Sequence, residues 1–188
     1  MTNISNAKIA ILATDGFEKS ELFEPRKQLI DAGADVTVVS LESGAIKSWD
    51  QKDWGESIGV EMTLDNASES DFDALVLPGG QMNPDILRAE PKAVNFVKSF
   101  FNAGKPIAAI CHAPWLLIEA DLVKGRKMTG YTSIKTDLIN AGAQFEDSEV
   151  VVDNGIITSR NPGDLDAFSA KIIEEVKEGI HKRMQKAA

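Results

Sequence analysis

Apolar residues along this chain fall into short continuous runs, separated by longer segments in which apolar residues recur at helical spacing. Four continuous runs are typical of buried parallel strands; they lie at residues 9–13, 36–39 and 74–77 and from Ile107 onward. Four segments with helical spacing start at Leu22, Pro91, Ile134 and Leu165. Because strands and helices alternate, the pattern predicts an α/β fold with a mostly parallel central sheet and helices on both faces.

Turn residues and weaker patterns refine this prediction. Pro25 lies inside the first helical segment, whose apolar face continues across it, so we expect a kink near the helix start rather than a break. Asn154-Gly155 between two apolar runs predicts a β-hairpin, because both residues tolerate positive φ. Residues 42–58 are interpreted as a long loop, with or without short strands, and residues 59–64 as a weak edge strand.

Composition and charge limit the class of protein. The chain has 188 residues, which predicts one domain over residues 1–188. Its formal net charge is −9, so we do not expect nucleic acid as a main partner, because phosphate binding needs a basic surface. One cysteine, no signal segment and no membrane-length apolar run predict a cytoplasmic protein that does not bind membranes. Two histidines and one cysteine predict no metal site.

The single cysteine, Cys111, stands where the fourth strand is predicted to run directly into a helix. Ala109 and Ala113 flank it with small side chains, as in a nucleophile elbow, where the backbone crowds a sharp turn. The N–H groups of the following helix would favour a thiolate and lower the pKa of Cys111 below about 8.5. A free cysteine is also commonly a small buried hydrophobe. The spacing alone leaves a reactive thiol and an inert core residue as equal alternatives.

Three loops that follow predicted buried strands carry Glu18, Gly79-Gly80 and Cys111-His112. Because ligands of open α/β sheets bind at the carboxyl ends of the strands, we expect these residues in one crevice. A protonated Glu18 would donate a hydrogen bond to the thiolate, whereas an ionised one would raise the pKa of the thiol. His112 is a candidate base, but neighbouring side chains at a sharp turn usually diverge, so a third group would have to orient it. The plainer alternatives are a helix-start charge for Glu18 and a simple turn for the glycines.

Taken together, these residues resemble the PfpI intracellular-protease branch of the DJ-1/PfpI superfamily, which is itself similar to class I glutamine amidotransferases. The matching stretches span nearly the whole chain in the right order. They are Asp-Gly-Phe-Glu at 15–18, Ala-Leu-Val-Leu-Pro-Gly-Gly at 74–80 and Ala-Ile-Cys-His-Ala-Pro at 109–114, with shorter ones at 125–127, 140–143, 149–153 and 158–160.

This resemblance implies a flavodoxin-like α/β sandwich that forms a homodimer or a higher oligomer and needs no cofactor. By the same resemblance, Cys111 is the nucleophile, His112 is its partner and Glu18 is the acid that contacts the thiol.

The resemblance also implies the surroundings of the nucleophile. Gly79 and Gly80 would bind an oxyanion or the substrate, together with the backbone of His112. Asp85 of a neighbouring subunit would orient the imidazole of His112. Tyr131 would lie at the pocket.

The resemblance implies several functions. The first is a cysteine-dependent stress-protection enzyme that acts on reactive dicarbonyls, as a glyoxalase, or on their early protein adducts, as a deglycase; its partners are small aldehydes or glycated protein. The second is an intracellular cysteine peptidase, and the third is a non-catalytic redox sensor or chaperone for unfolded protein in which Cys111 is oxidised. A glutamine amidotransferase is disfavoured, because it needs a separate downstream histidine with a nearby acid. The only other histidine is His181, which we expect at the surface.

Overall fold

The structure, a computed structural model, describes residues 4–182. Its strands are β1 Lys8–Leu12, β2 Phe17–Glu18, β3 Asp35–Ser40, β4 Gly44–Asp50, β5 Asp53–Val60, β6 Met62–Thr63, β7 Ala74–Leu77, β8 Ile107–Ile110, β9 Lys127–Met128, β10 Gln144–Phe145, β11 Val150–Asp153 and β12 Ile156–Ser159. Its helices are α1 Lys19–Asp31, α2 Met82–Arg88, α3 Pro91–Asn102, α4 Pro114–Glu119, α5 Lys135–Asn140 and α6 Leu165–Glu178. The expected single domain over residues 1–188 extends beyond the described range and stays a prediction.

Seven strands form one central sheet in the order β11-β12-β8-β7-β1-β3-β6. All neighbouring strands in it are parallel except β11 and β12, which are antiparallel. The predicted α/β fold with a mostly parallel sheet is therefore confirmed. The antiparallel pair is the predicted hairpin, and Asn154 and Gly155 at its turn have φ values of 52° and 78°.

Helices cover both faces of the sheet, because alternate residues of each buried strand point to opposite sides. On β1, Ala10 and Leu12 belong to the apolar cluster that contains residues of α3, α4 and α5. Ile9 and Ile11 belong to the second cluster, which contains residues of α1 and α6. None of the helices within residues 4–182 is both long and apolar enough to cross a bilayer.

The helices match the predicted segments with two differences. Helix α1 continues across Pro25, as expected. Helix α2 had no predicted counterpart, because its seven residues are too few to show a clear apolar period. Helix α6 ends at Glu178, although the apolar spacing of its segment continues to Ile180, because Gly179 adopts a φ of 86°.

Residues 42–58, interpreted as a long loop with or without short strands, form two strands of seven and eight residues that extend to Val60. Strands β4 and β5 form a long antiparallel hairpin, which extends a small sheet that also contains β2. Trp49 and Trp54 pair across this hairpin with ring centroids 5.7 Å apart in an edge-to-face arrangement. The sequence pattern was weak because most side chains of β5 are exposed or half-buried, so no apolar face marks it. The predicted strand over 59–64 is divided between the end of β5 and the short edge strand β6.

The position of the candidate site follows from the strand order. Along the chain, β3 is added on one side of β1 and β7 on the other, so a crevice opens at the carboxyl ends of β1 and β7. The loops after β1, β7 and β8 meet there. Gly80 has a φ of 81°, and a Cβ at this position would collide with the backbone of Gly16 and Glu18. Glycine at position 80 therefore lets two of these loops approach each other closely.

Candidate active site

Cys111 lies at a sharp turn between β8 and α4. Its φ is 63°, a value that non-glycine residues adopt rarely and at an energetic cost. Two backbone hydrogen bonds hold the turn: the Cys111 N–H donates to Ser159 (3.1 Å), and the Tyr131 N–H donates to the Cys111 carbonyl (2.8 Å). The residue is 6% exposed. This is the strained strand–helix elbow that the sequence predicts.

A pocket of about 480 Å³ lies above the thiol. Cys111 and His112 line it from the elbow, and Tyr131 and Ser133 from the segment before α5. Further lining residues are Glu18, Glu21, Trp49, Gln51, Gly80, Gln81 and Pro162. The hairpin of β4 and β5 thus forms one wall of the pocket, a contribution that the sequence did not predict.

The carboxyl that contacts the thiol is that of Glu21. It lies close enough to Cys111 to affect the pKa of the thiol, and its Oε2 accepts a hydrogen bond from the Gly79 N–H (2.9 Å). Glu18 also lines the pocket, but its Oε1 accepts a hydrogen bond from the Ser20 hydroxyl (3.2 Å). The prediction that Glu18 contacts the thiol is therefore wrong. Glu18 stands at the start of α1, whereas Glu21 is one turn further along, on the face that meets the sheet.

A signal for Glu21 was present in the sequence. The buried residues of α1 are Glu21, Leu22, Pro25 and Leu29, which share one helix face. Glu21 is fully buried although it is a carboxylic acid. A carboxyl on an otherwise apolar helix face needs a partner or must remain protonated. That exception to the helical pattern indicates a functional residue better than the loop position of Glu18 does.

The electrostatic environment keeps the Glu21 carboxyl neutral. Its pKa is raised to about 8: burial is the main cause and the nearby charge of Glu18 adds to it, whereas the Gly79 N–H and Cys111 oppose the shift. Below this pH, Glu21 carries a proton that it can donate to the sulfur of Cys111. The predicted role of a protonated acid beside the thiol thus belongs to Glu21.

The pKa of the Cys111 thiol is raised, so the prediction of a lowered pKa is wrong. Burial is the main cause, and the charge of an ionised Glu21 is the second. Backbone N–H groups of Gly80 and His112 act in the opposite direction but are outweighed. Helix α4 does little to lower the pKa of the thiol, because it has only six residues and begins with Pro114, which has no N–H. Cys111 therefore rests as a thiol and needs a base.

His112 is placed to be that base. Its Nδ1 lies 3.1 Å from the Cys111 Sγ, and its Nε2 lies 3.0 Å from the Ser133 Oγ. The expected divergence of the two neighbouring side chains does not occur. Burial lowers the pKa of the imidazole, so the ring is neutral at physiological pH. The Tyr131 ring stacks on it at 4.7 Å, and the Trp115 ring contacts it edge-on at 5.1 Å.

The two glycines after β7 have different roles. The Gly79 N–H donates to Glu21, so its proposed function as an oxyanion donor is corrected to holding that carboxyl. A Cβ on Gly79 would lie 2.5 Å from Glu21 Oε2 and 2.7 Å from Cys111 Cβ, which leaves room only for glycine. The Gly80 N–H lies close enough to the sulfur to lower the pKa of the thiol, so it can stabilise negative charge there.

Asp85 lies on α2, where its Oδ1 forms an ion pair with Arg88 at 2.6 Å. Its side chain is 58% exposed. Its expected action on His112 of a neighbouring subunit stays a prediction.

Ligand atoms that could hold a metal are grouped away from the pocket, on Glu175, Glu178 and His181. The His181 Nε2 lies 3.1 Å from a carboxylate oxygen of Glu175, a distance that an ion pair explains when the histidine is protonated. The His181 side chain is 14% exposed, so its expected surface position is wrong. Its side chain contacts Glu175 near the end of α6, and its backbone N–H donates a hydrogen bond to the Gly104 carbonyl.

Comparison with known proteins places this geometry in a family. Residues 7–175 match the DJ-1/PfpI family. The chain is 44% identical over 167 residues to protein/nucleic acid deglycase 2 of Escherichia coli, a match that covers 88% of this chain and 95% of the relative. It is 42% identical over 170 residues to deglycase PfpI of Pyrococcus furiosus, which covers 90% of this chain and 99% of the relative.

A solved structure agrees with these sequence matches. Drosophila melanogaster DJ-1beta has a TM-score of 0.81 at 32% sequence identity, covering 92% of this chain and 95% of that chain. The expected resemblance and the flavodoxin-like fold are confirmed. The chain belongs to the DJ-1/PfpI family.

Proposed function

We propose that this protein is a cysteine-dependent deglycase that acts on reactive dicarbonyls or on their early adducts with proteins. The observation that carries the proposal is the contact of the Cys111 sulfur with a neutral imidazole, 3.1 Å away, in a pocket large enough for a small carbonyl compound. The protonated carboxyl of Glu21 against the same sulfur supports it. Two relatives that are named deglycases, each more than 40% identical, favour this substrate class.

The first chemical step is the addition of the thiol to an aldehyde. The Nδ1 of His112 accepts the thiol proton while the sulfur forms a bond to the aldehyde carbon. The electron pair of the C=O bond moves to the oxygen, which then takes the proton from the imidazolium. The product is a neutral hemithioacetal. The Gly80 N–H, which already faces the sulfur, stabilises the negative charge as it passes from sulfur to oxygen.

The second step is an internal rearrangement. In a hemithioacetal of methylglyoxal, the hydrogen on the sulfur-bearing carbon and the proton of its hydroxyl move to the neighbouring ketone carbon and its oxygen. The result is the thioester of a hydroxy acid, and water hydrolyses it to lactate and the free thiol. One carbon is oxidised and its neighbour is reduced, so only water is consumed. The Glu21 carboxyl, with a pKa of about 8, can give and accept protons during this step.

The test compares the purified protein with Cys111→Ser on methylglyoxal, on a methylglyoxal adduct of N-acetylarginine and on an unstructured protein. We expect the wild-type protein to form lactate from methylglyoxal and from its adduct. On the adduct, the sulfur displaces the guanidine nitrogen from the carbinol carbon, and that nitrogen takes the proton from the His112 imidazolium. N-acetylarginine is thereby released and the same hemithioacetal remains. The substitution should lower kcat by about a thousandfold, because serine is a much poorer nucleophile without a strong base. Circular dichroism checks that the variant is folded. Hydrolysis of the unstructured protein alone would favour the peptidase, and full activity of Cys111→Ser would refute the proposal.

A further inference from the structure

One contact of the site is made by a residue that the sequence did not single out. The Ser133 hydroxyl lies 3.0 Å from the Nε2 of His112, on the side of the ring opposite the thiol. The two ring nitrogens thus have separate partners, Cys111 on one side and Ser133 on the other. In a neutral imidazole, one nitrogen carries the proton and the other accepts one. The partner of Nε2 therefore decides what Nδ1 can do.

We propose that Ser133 is the positioning residue of the Cys111–His112 pair. Its hydroxyl oxygen accepts a hydrogen bond from the Nε2–H of His112. This leaves Nδ1 unprotonated and able to take the proton of the thiol. The proposal deepens the function proposed above, because it names the group that makes His112 a base. The opposite tautomer would point an N–H at the sulfur and could not accept the thiol proton. Ser133 acts through His112 and does not touch the substrate carbon.

The backbone around Ser133 holds its hydroxyl in place. The residue lies in a short turn of 3₁₀ helix over Thr132–Ile134, directly before α5. The N–H of Tyr131 donates to the carbonyl of Cys111 (2.8 Å), which ties the start of the turn to the elbow. Ile134 is fully buried in the core, which anchors the end of the turn. The hydroxyl therefore has a defined position although Ser133 itself is exposed.

The carboxylates near the imidazole have other partners in this chain. Asp137 of α5 accepts a hydrogen bond from the Trp115 indole N–H (2.8 Å), and Asp85 is paired with Arg88. The Arg88 guanidinium lies over the ring of Trp115, with its central carbon 4.4 Å from the ring centre. The titratable groups that share the pocket with His112 are Glu18, Glu21, Cys111 and Tyr131. None of these groups is the partner of Nε2 among the described residues; that partner is Ser133.

A hydroxyl has a different electrostatic effect from a carboxylate at this position. A carboxylate would favour the imidazolium and thereby a resting thiolate. A neutral hydroxyl orients the ring without adding charge, so the resting pair remains a thiol and a neutral imidazole. This agrees with the burial of both side chains, of which 6% and 8% are exposed. We therefore expect proton transfer to accompany attack on the substrate rather than to precede it.

The experiment compares Ser133→Ala, Ser133→Thr and Ser133→Asp with the wild-type protein. Thr132→Ala is the matched control, because it removes a hydroxyl from the same turn outside the pocket. The first measurement is kcat and KM for methylglyoxal. We expect Ser133→Ala to lower kcat about fivefold with little change in KM, which corresponds to one ordinary hydrogen bond. Ser133→Thr should restore most of the rate.

The second measurement is the rate of Cys111 alkylation by iodoacetamide across pH, which needs no turnover. Ser133→Asp should shift this profile to lower pH, because the new carboxylate favours the imidazolium and the thiolate. If Ser133 had a merely structural role, the kcat of all three variants would fall in proportion to their folded fraction, and no alkylation profile would shift along the pH axis. Unchanged kcat in Ser133→Ala with an unshifted Ser133→Asp profile would overturn the proposal. A lower kcat in Asp85→Asn together with an unchanged kcat in Ser133→Ala would also overturn the proposal.

These outcomes separate the present inference from the proposed function. If the wild-type protein turns over none of the carbonyl substrates, the proposed function fails. The alkylation profiles of the Ser133 variants still decide whether Ser133 sets the state of the Cys111–His112 pair.

Discussion

At the residue scale, the site depends on which of two nearby carboxyls reaches the sulfur. Glu18 and Glu21 both line the pocket, but only Glu21 is fully buried and shifts the pKa of the thiol. Burial makes its carboxyl a proton donor at neutral pH. The same burial makes Cys111 a resting thiol and His112 a neutral base. The three side chains thus form a set in which no member carries a charge before the substrate arrives.

The buried carboxyl predicts a pH-dependent stability. The pKa of Glu21 is about 8 in the folded protein against 4.5 usually, so the folded state holds a proton that the unfolded chain releases between these values. The free energy of unfolding therefore falls as pH rises through this window. Glu21→Gln lacks this dependence. The free energy of unfolding of the variant minus that of the wild-type protein should therefore increase by about 4 kcal/mol from about pH 5 to pH 8, at about 1.4 kcal/mol per pKa unit.

Urea unfolding at several pH values measures this difference. Glu24→Gln, on the exposed side of the same helix, is the control and should run parallel to the wild-type protein. Parallel curves for Glu21→Gln as well would mean that the folded protein does not hold the Glu21 proton.

At the element scale, the β4–β5 hairpin adds a wall to a pocket that the central sheet alone would leave open. Trp49 and Gln51 of this hairpin line the pocket, and Gln51 has a positive φ of 57° at the turn. Trp54 pairs with Trp49 from the other strand but is 44% exposed and is not among the lining residues. One tryptophan of the pair therefore faces the site and the other supports it.

This arrangement predicts different kinetic effects for the two tryptophans. Trp49→Ala removes aromatic surface next to the bound adduct, so KM for a methylglyoxal adduct of N-acetylarginine should rise about fivefold. KM for methylglyoxal itself should change less, because the smaller substrate reaches only the pocket floor. Trp54→Ala is the matched control, and it should change the KM for each substrate less than Trp49→Ala does. Steady-state kinetics on the two substrates measures the split. Equal changes for both substrates would show that the hairpin does not contact the adduct.

At the scale of the whole molecule, two apolar clusters hold the sheet between its helix layers, and the site lies at the edge where the strand order reverses. Helix α2 lies beside this edge and exposes Met82 and Ile86, of which 36% and 42% are accessible. Asp85 lies on the same short helix. These residues are available for contact with a second subunit.

We predict a homodimer in solution, as the family resemblance implies. Light scattering at micromolar concentration should give twice the chain mass of 20.4 kDa. Measurements over a dilution series distinguish a stable dimer from a weak one. A monomer throughout would remove Asp85 from the site and leave Ser133 as the group that orients His112.

The buried strands of the central sheet, most of the helices and the position of Cys111 were determined by the sequence itself. Short continuous apolar runs that alternate with amphipathic helices are typical of buried parallel strands. Such strands place the loops after β1, β7 and β8 at one edge of the sheet. The hairpin at Asn154-Gly155 is equally local, because it depends on two residues that tolerate positive φ.

The tertiary structure decided which side chains meet at that edge. Glu21 rather than Glu18 reaches the thiol because α1 turns its third residue toward the sheet, which depends on how the helix packs. Ser133 reaches His112 across 21 positions of sequence, a contact that no local pattern records. The raised pKa of Cys111 likewise comes from burial and from Glu21, because both outweigh the nearby N–H groups. Local patterns determine elements, whereas burial and long-range contacts determine the chemistry of the groups that those elements bring together.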